Sequence, residues 1–197
     1  MDSKILRSLT LAILLTGCVG LRLETKKEGV VPSGPYHRTL VVYLRGDRDT
    51  KSRVETAFRE AFRETQSDPG RGLDVTEFAM GNPTRAAQLG YDSVLVVDHH
   101  SMVHWGESHP GTLAEAFAPL PKENPLAQTT VQSQGPGGQR YANGCARLYD
   151  AVTTRLVWTA HGTLRTDKDE WTTRPARVAA QAVVRHLKDE GFLNRIP

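Results

Sequence analysis

The densest group of chemistry-bearing side chains is Asp98-His99-His100, followed by His104, Glu107 and His109. Carboxylates and neutral imidazoles are the usual oxygen and nitrogen ligands of zinc and similar ions. Asp98, His99, His100 and His104 therefore form the candidate metal set, and a metal-dependent hydrolase centred on Asp98-His99-His100 is the alternative functional reading. The spacing speaks against it. Neighbouring residues of a strand point to opposite faces, so His99 and His100 can share an ion only where the strand has ended. His100 and His104 stand four residues apart, but residues 101–140 read as a loop, so this is not the paired-histidine spacing of a helix. The expectation is that the chain holds no metal, has no complete catalytic set and is not an enzyme.

Other candidates are thinner. Ser101 and Ser108 lie near histidines, but no nucleophile elbow surrounds them. Gly135-Pro136-Gly137-Gly138 lacks the Lys-Ser/Thr that a phosphate loop requires. Trp105 and Trp171 suit anchors for a protein partner, because exposed aromatics dominate binding surfaces. Trp158 reads as core and Asp150 as a turn former. Cys145 reads as a small buried apolar residue.

The elements that must position these groups follow from hydrophobic patterning. Residues 39–44 and 93–98 are short apolar runs rich in β-formers, the pattern of strands buried on both faces. Between them Val54, Ala57, Phe58, Ala61 and Phe62 recur at helical spacing, with Asp49 or Thr50 as the expected cap. This is a βαβ arrangement, and Asp98 falls at the carboxyl end of its second parallel strand, where open α/β sheets bind ligands. Residues 73–78 suit a further strand, and residues 83–89 a short helix stopped by Gly90. Residues 101–140 read as a long loop, with residues 129–133 as a possible strand inside it. Residues 141–149 and 155–164 alternate with period two across a tight connection. Ala142, Gly144, Ala146 and Leu148 share one face, and Leu156, Trp158, Ala160, Gly162 and Leu164 share another. A last helix carries the stripe Ala176, Ala179, Ala180, Val183, Val184 and Leu187, ending at Gly191. The fold class is α/β (α+β): one mixed sheet with helices packed on it, in the order β-α-β-(α)-β-β-β-α.

The N-terminus sets the compartment. Lys4 and Arg7 precede a short apolar run, then Leu15-Thr16-Gly17-Cys18. The run is too short to span a bilayer and suits a cleaved secretory signal. The last four residues resemble the bacterial lipobox at every position. That resemblance implies a signal peptide over residues 1–17 and diacylglycerol and acyl chains, such as palmitate, on Cys18. Val19, standing where an inner-membrane lipoprotein carries Asp, implies the outer membrane, facing the periplasm. Residues 18–37, with Lys26, Lys27, Gly29, Pro32, Gly34 and Pro35, read as a flexible tether ahead of one domain over residues 38–193. A lipidated Cys18 leaves Cys145 without a partner for an intrachain disulfide.

Composition agrees with an ordinary globule: 197 residues, 39% hydrophobic, 24% charged, formal charge +3. The charge is too small and too scattered for nucleic acid to be a partner. Beyond the lipobox, Gly90-Tyr91-Asp92 leads into a buried strand, and Ala146-Arg147-Leu148-Tyr149-Asp150 is followed by Arg155-Leu156-Val157-Trp158. Together these resemble small periplasmic α/β lipoproteins of the curli-secretion-like and penicillin-binding-protein-activator group. Thr154 replaces the usual turn glycine, and no pair of amphipathic hairpins suited to a pore is present. The resemblance implies a membrane-anchored, non-catalytic interaction or accessory module of an envelope assembly. Its partners would be the membrane, through the lipid, and an envelope protein or cell-wall component.

Overall fold

The computed structural model describes residues 21–29, 34–44, 48–63, 82–98, 110–117, 133–134, 140–166 and 173–194. Its strands are β1 (Leu21–Lys27), β2 (Thr39–Tyr43), β3 (Ser93–Asp98), β4 (Ser133–Gln134), β5 (Arg140–Asp150) and β6 (Leu156–Thr166). Its helices are α1 (Arg48–Phe62), α2 (Arg85–Gln88), α3 (Leu113–Phe117) and α4 (Thr173–Asp189). The strands lie in the order β1-β6-β5-β3-β2, with the short β4 paired to β5. β2 and β3 are parallel, and the β1–β6, β3–β5, β4–β5 and β5–β6 pairs are antiparallel. This is the single mixed sheet with helices that the patterning implies.

Helices α1 and α4 cover one face. From the sheet they meet Val41, Tyr43, Leu95, Val97, Ala146, Leu148, Trp158 and Ala160. The helices contribute Val54, Phe58 and Phe62 and the small-residue stripe of α4. Fully burying one large apolar side chain stabilises by roughly 1.5–3 kcal/mol, so this cluster dominates cohesion. After α4, Gly191 takes φ +86°. The amides of Phe192 and Leu193 then return to the Leu187 carbonyl at 2.8 and 3.3 Å. That left-handed residue turns Phe192 and Leu193 back into the core.

The opposite face carries a smaller apolar cluster of Leu40, Val42, Val94, Val96, Tyr149 and Leu156, covered by Ala86 of α2 and by Leu113 and Phe117 of α3. Here the motif around Gly90 acquires a physical meaning. Gly90 has φ +81°, and a Cβ there would come within 2.8 Å of the Arg38 guanidinium. That guanidinium donates to the Gly90 carbonyl at 3.2 Å and stacks 4.9 Å from the Tyr91 ring centre. The Asp92 carboxylate accepts from the amides of His37 at 2.6 Å and Arg38 at 2.9 Å. Gly90-Tyr91-Asp92 thus locks the start of β3 to the chain entering β2.

Four expectations need correction. Residues 21–27, read as tether, form the edge strand β1, paired with β6 from Leu21↔Leu164 to Lys27↔Trp158. Its alternation is Leu21-Arg22-Leu23-Glu24-Thr25, which the neighbouring charges disguise; only one face of an edge strand needs apolar residues. Within the supposed loop over residues 101–140, Leu113–Phe117 is helical. Thr112 and Glu115 close a reciprocal cap, each side chain accepting the other's amide at 3.3 Å. Helix α1 begins at Arg48, so Asp49 and Thr50 occupy its first turn rather than its cap. Finally, a bulge at Leu148/Tyr149 pairs Leu156 with Tyr149 and moves it to the face opposite Trp158. The strand expected over residues 73–78, and residues 129–132 of the other, lie outside the described residues.

Candidate functional site

Antiparallel register gathers the polar side chains of four strands on the face away from α1 and α4. Asp98 of β3 stands opposite Cys145 of β5, Cys145 opposite His161 of β6, and His161 opposite Glu24 of β1. The adjacent rung places Arg147 beside Thr159, and Thr159 beside Lys26. Asp98, Cys145, Arg147 and Thr159 are all buried.

The centre of this row is Arg147. Its Nη2 donates to Cys145 Sγ at 3.1 Å and lies 3.6 Å from Asp98 Oδ2. Burial lowers the guanidinium pKa, but Cys145, Tyr149 and Asp98 more than offset this, and it ends above the ordinary arginine value. Tyr149 lies on the same face, with its hydroxyl donating to the Pro110 carbonyl at 3.1 Å. Burial raises the Tyr149 phenol against the lowering effect of Arg147, to about 12. The buried guanidinium thus has the Asp98 carboxylate and the Cys145 sulfur beside it, the pairing that a buried charge requires.

Asp98, the first residue of the candidate metal set, is thus placed at the end of β3 and engaged by Arg147. Among the described residues, no three His, Cys, Asp or Glu side chains are grouped to hold a metal ion. His99, His100, His104, Trp105 and Trp171 lie outside the described residues, as does Cys18. Cys145 is buried and forms no disulfide among the described residues. Trp158 is fully buried, with its indole N–H donating to Glu190 Oε1 at 3.2 Å. Asp150 is the expected turn former. Its Oδ1 accepts from the amides of Val152 at 3.1 Å and Thr153 at 2.7 Å, and its Oδ2 accepts from the Tyr36 hydroxyl at 3.2 Å. Arg147 and His161 escaped the sequence reading; the alternation that placed Ala146 and Leu148 on one face also places Cys145, Arg147 and Tyr149 on the other.

On the helical side, small residues leave a hollow of about 30 Å³, bordered by Leu21, Leu23, Phe58, Gly144, Gly162 and Val183. That is room for about one water. No helix among the described residues is long and apolar enough to cross a membrane.

Fold and site together define an α+β domain with apolar clusters on both faces of the sheet and a buried polar row on the face away from α1 and α4. No family model and no curated protein sequence matches this chain. Among solved structures, the chain is similar in fold to PelC from Paraburkholderia phytofirmans, a dodecamer: TM-score 0.51, 12% identity, covering 86% of this chain and 98% of PelC. A point variant of that dodecamer in a second crystal form has TM-score 0.51 at 12% identity, covering 86% and 99%. Lipoprotein GNA1162 from Neisseria meningitidis has TM-score 0.42 and 14% identity, covering 78% of this chain and 99% of its own.

Proposed function

We propose that this chain is a lipid-anchored α+β module of the bacterial envelope, held on the outer membrane by Cys18 and facing the periplasm. On this reading it works by binding envelope components rather than by catalysis. The observation that carries it is the lipobox Leu15-Thr16-Gly17-Cys18, directly after a short apolar run. The PelC fold supports it, since PelC is itself a multi-copy assembly. The engagement of Asp98 by Arg147 also supports it, because it diverts the carboxylate that the hydrolase reading requires. Membership of the curli-secretion-like and penicillin-binding-protein-activator group belongs to the same proposal.

Cys18→Ser tests the anchor. The variant is expected to leave the membrane fraction while keeping the circular dichroism and melting curve of the domain. A Cys18→Ser protein that still sediments with membranes and still incorporates labelled palmitate sinks the assignment. The native mass of the detergent-solubilised protein tests assembly. Multiples of the chain mass are expected, and a monomer at every concentration removes the part of the reading drawn from PelC.

A further inference from the structure

Strand β1 begins at Leu21, and only Val19 and Gly20 separate it from Cys18. Consecutive Cα atoms lie at most 3.8 Å apart, so Leu21 can stand no more than about 11 Å from the Cys18 Cα. The headgroup layer of one leaflet is about 5–8 Å deep. A domain whose first strand starts this close to its anchor has one end against the lipid.

Register and helix direction identify that end. β1 starts at the top of the sheet, one turn of the ladder beyond the Glu24–His161–Cys145–Asp98 rung. Helix α4 runs the same way as β1. Leu21 and Leu23 border the hollow against Ala179 and Val183. At the other extreme, Lys27 Nζ donates to the Glu190 carbonyl at 3.0 Å. The first turn of α4, with exposed Thr173 and Arg174, therefore projects on the Leu21 side. β3 also ends here, at Asp98. The β5–β6 turn lies at the opposite end, where Asp150 pairs with Ser93 at the start of β3. Val152, 71% exposed, sits in that turn, and Leu89, 36% exposed, precedes β3 at the same end.

We propose that the end of the sheet where β1 starts and α4 begins is a membrane-contacting surface that meets phospholipid headgroups, holding the β5–β6 turn away from the bilayer. This rests on lipidation of Cys18. β1 rises about 20 Å from Leu21 to Lys27, so the turn stands beyond the reach of the headgroups while the start of α4 stands within it.

The test uses the full-length processed protein in vesicles of phosphatidylethanolamine and phosphatidylglycerol containing a headgroup spin-labelled lipid. A fluorophore is attached to a single introduced cysteine, at Thr173→Cys or Val152→Cys, in a Cys145→Ala background. Quenching at Thr173→Cys should exceed that at Val152→Cys by at least about threefold, given the length of the strands between them. Inserting about twelve Gly/Ser residues between Gly20 and Leu21 should bring the two close to equal, since such a linker lets the domain turn freely. The mass of the N-terminal peptide reads lipidation separately. A Cys18 peptide without acyl chains overturns the anchor and this surface together. An acylated peptide with equal quenching at both positions before the insertion overturns the surface alone.

Discussion

The two faces of the sheet are built from the same strands, yet they are held by different physics. Towards α1 and α4, the hairpin presents Ala146, Leu148, Trp158 and Ala160. Each contributes by leaving water, and contacts of this kind need only suitable size and position. On the other side, next to the apolar cluster under α2 and α3, the same strands present Cys145, Arg147 and Thr159, with Asp98 alongside from β3. Here a buried cation is tolerable only because a carboxylate and a thiol lie beside it. The first face should respond to lost volume, and the polar row of the second to lost pairing.

The largest expected effect sharpens the first half of that contrast. Trp158 is fully buried, and Trp158→Ala should lower unfolding free energy in urea by about 3–5 kcal/mol. A loss below about 1 kcal/mol shows that the face is not close-packed around it.

Arg147→Met preserves volume and breaks the pairing. It should cost about 3 kcal/mol, because Asp98 then loses its buried cation. Adding Asp98→Asn should restore much of the loss. If the double variant is as unstable as the sum of the single ones, the pair is not the unit that matters on this face.

The third test lies where the faces join. Thr154 has φ +58° in the β5–β6 turn, a left-handed conformation that strains a β-branched residue. Thr154→Gly should stabilise by about 1 kcal/mol, read as a rise in Tm, and an unchanged or lower Tm argues against strain there.

The smallest effect concerns a charge placed on the apolar side. Glu55 of α1 accepts from the Tyr43 amide at 3.4 Å, and Lys51 lies 3.9 Å away. Burial raises its pKa, against the lowering influences of Lys51, the Tyr43 amide and Arg59. The folded state then binds the proton more tightly than the unfolded state. This contribution is full below the ordinary carboxylate pKa and is lost as pH rises through the raised value. Glu55→Gln should therefore raise Tm slightly at pH 7 and leave it nearly unchanged at pH 4. An equal gain at both pH values assigns the effect to packing.

The same contrast explains what the sequence made legible. The stripe of α4, the parallel strands and the hairpin faces follow from periodicity, because burial against one neighbour imposes a single repeat. The buried polar row did not emerge as a unit. Asp98, Arg147 and His161 come from separate strands, and only their register brings them into one row. Leu156 was misplaced for a local reason: one extra residue in the ladder reverses every side chain beyond it. β1 was hidden because an edge strand with Arg22, Glu24 and Lys26 on its second face has the composition of a linker. The cap Thr112-Leu113-Ala114-Glu115 was a readable signal for α3, obscured by the prolines and glycines around it.

The pairing of β1 with β6 also constrains the order in which the molecule is completed. Leu21 meets Leu164 and Lys27 meets Trp158, so the earliest strand of the sheet finds its partner only in one of the last. During synthesis or export from the N-terminus, β1 must remain unpaired until nearly the whole chain has emerged. Contacts so distant along the chain close slowly, because loop entropy is lost before the ladder can form. Until then β5 lacks its outer neighbour β6 and is an open edge able to accept a strand from another chain. Assembly should be most vulnerable to mispairing in that interval, and a chain cut before β6 would have no native place for β1.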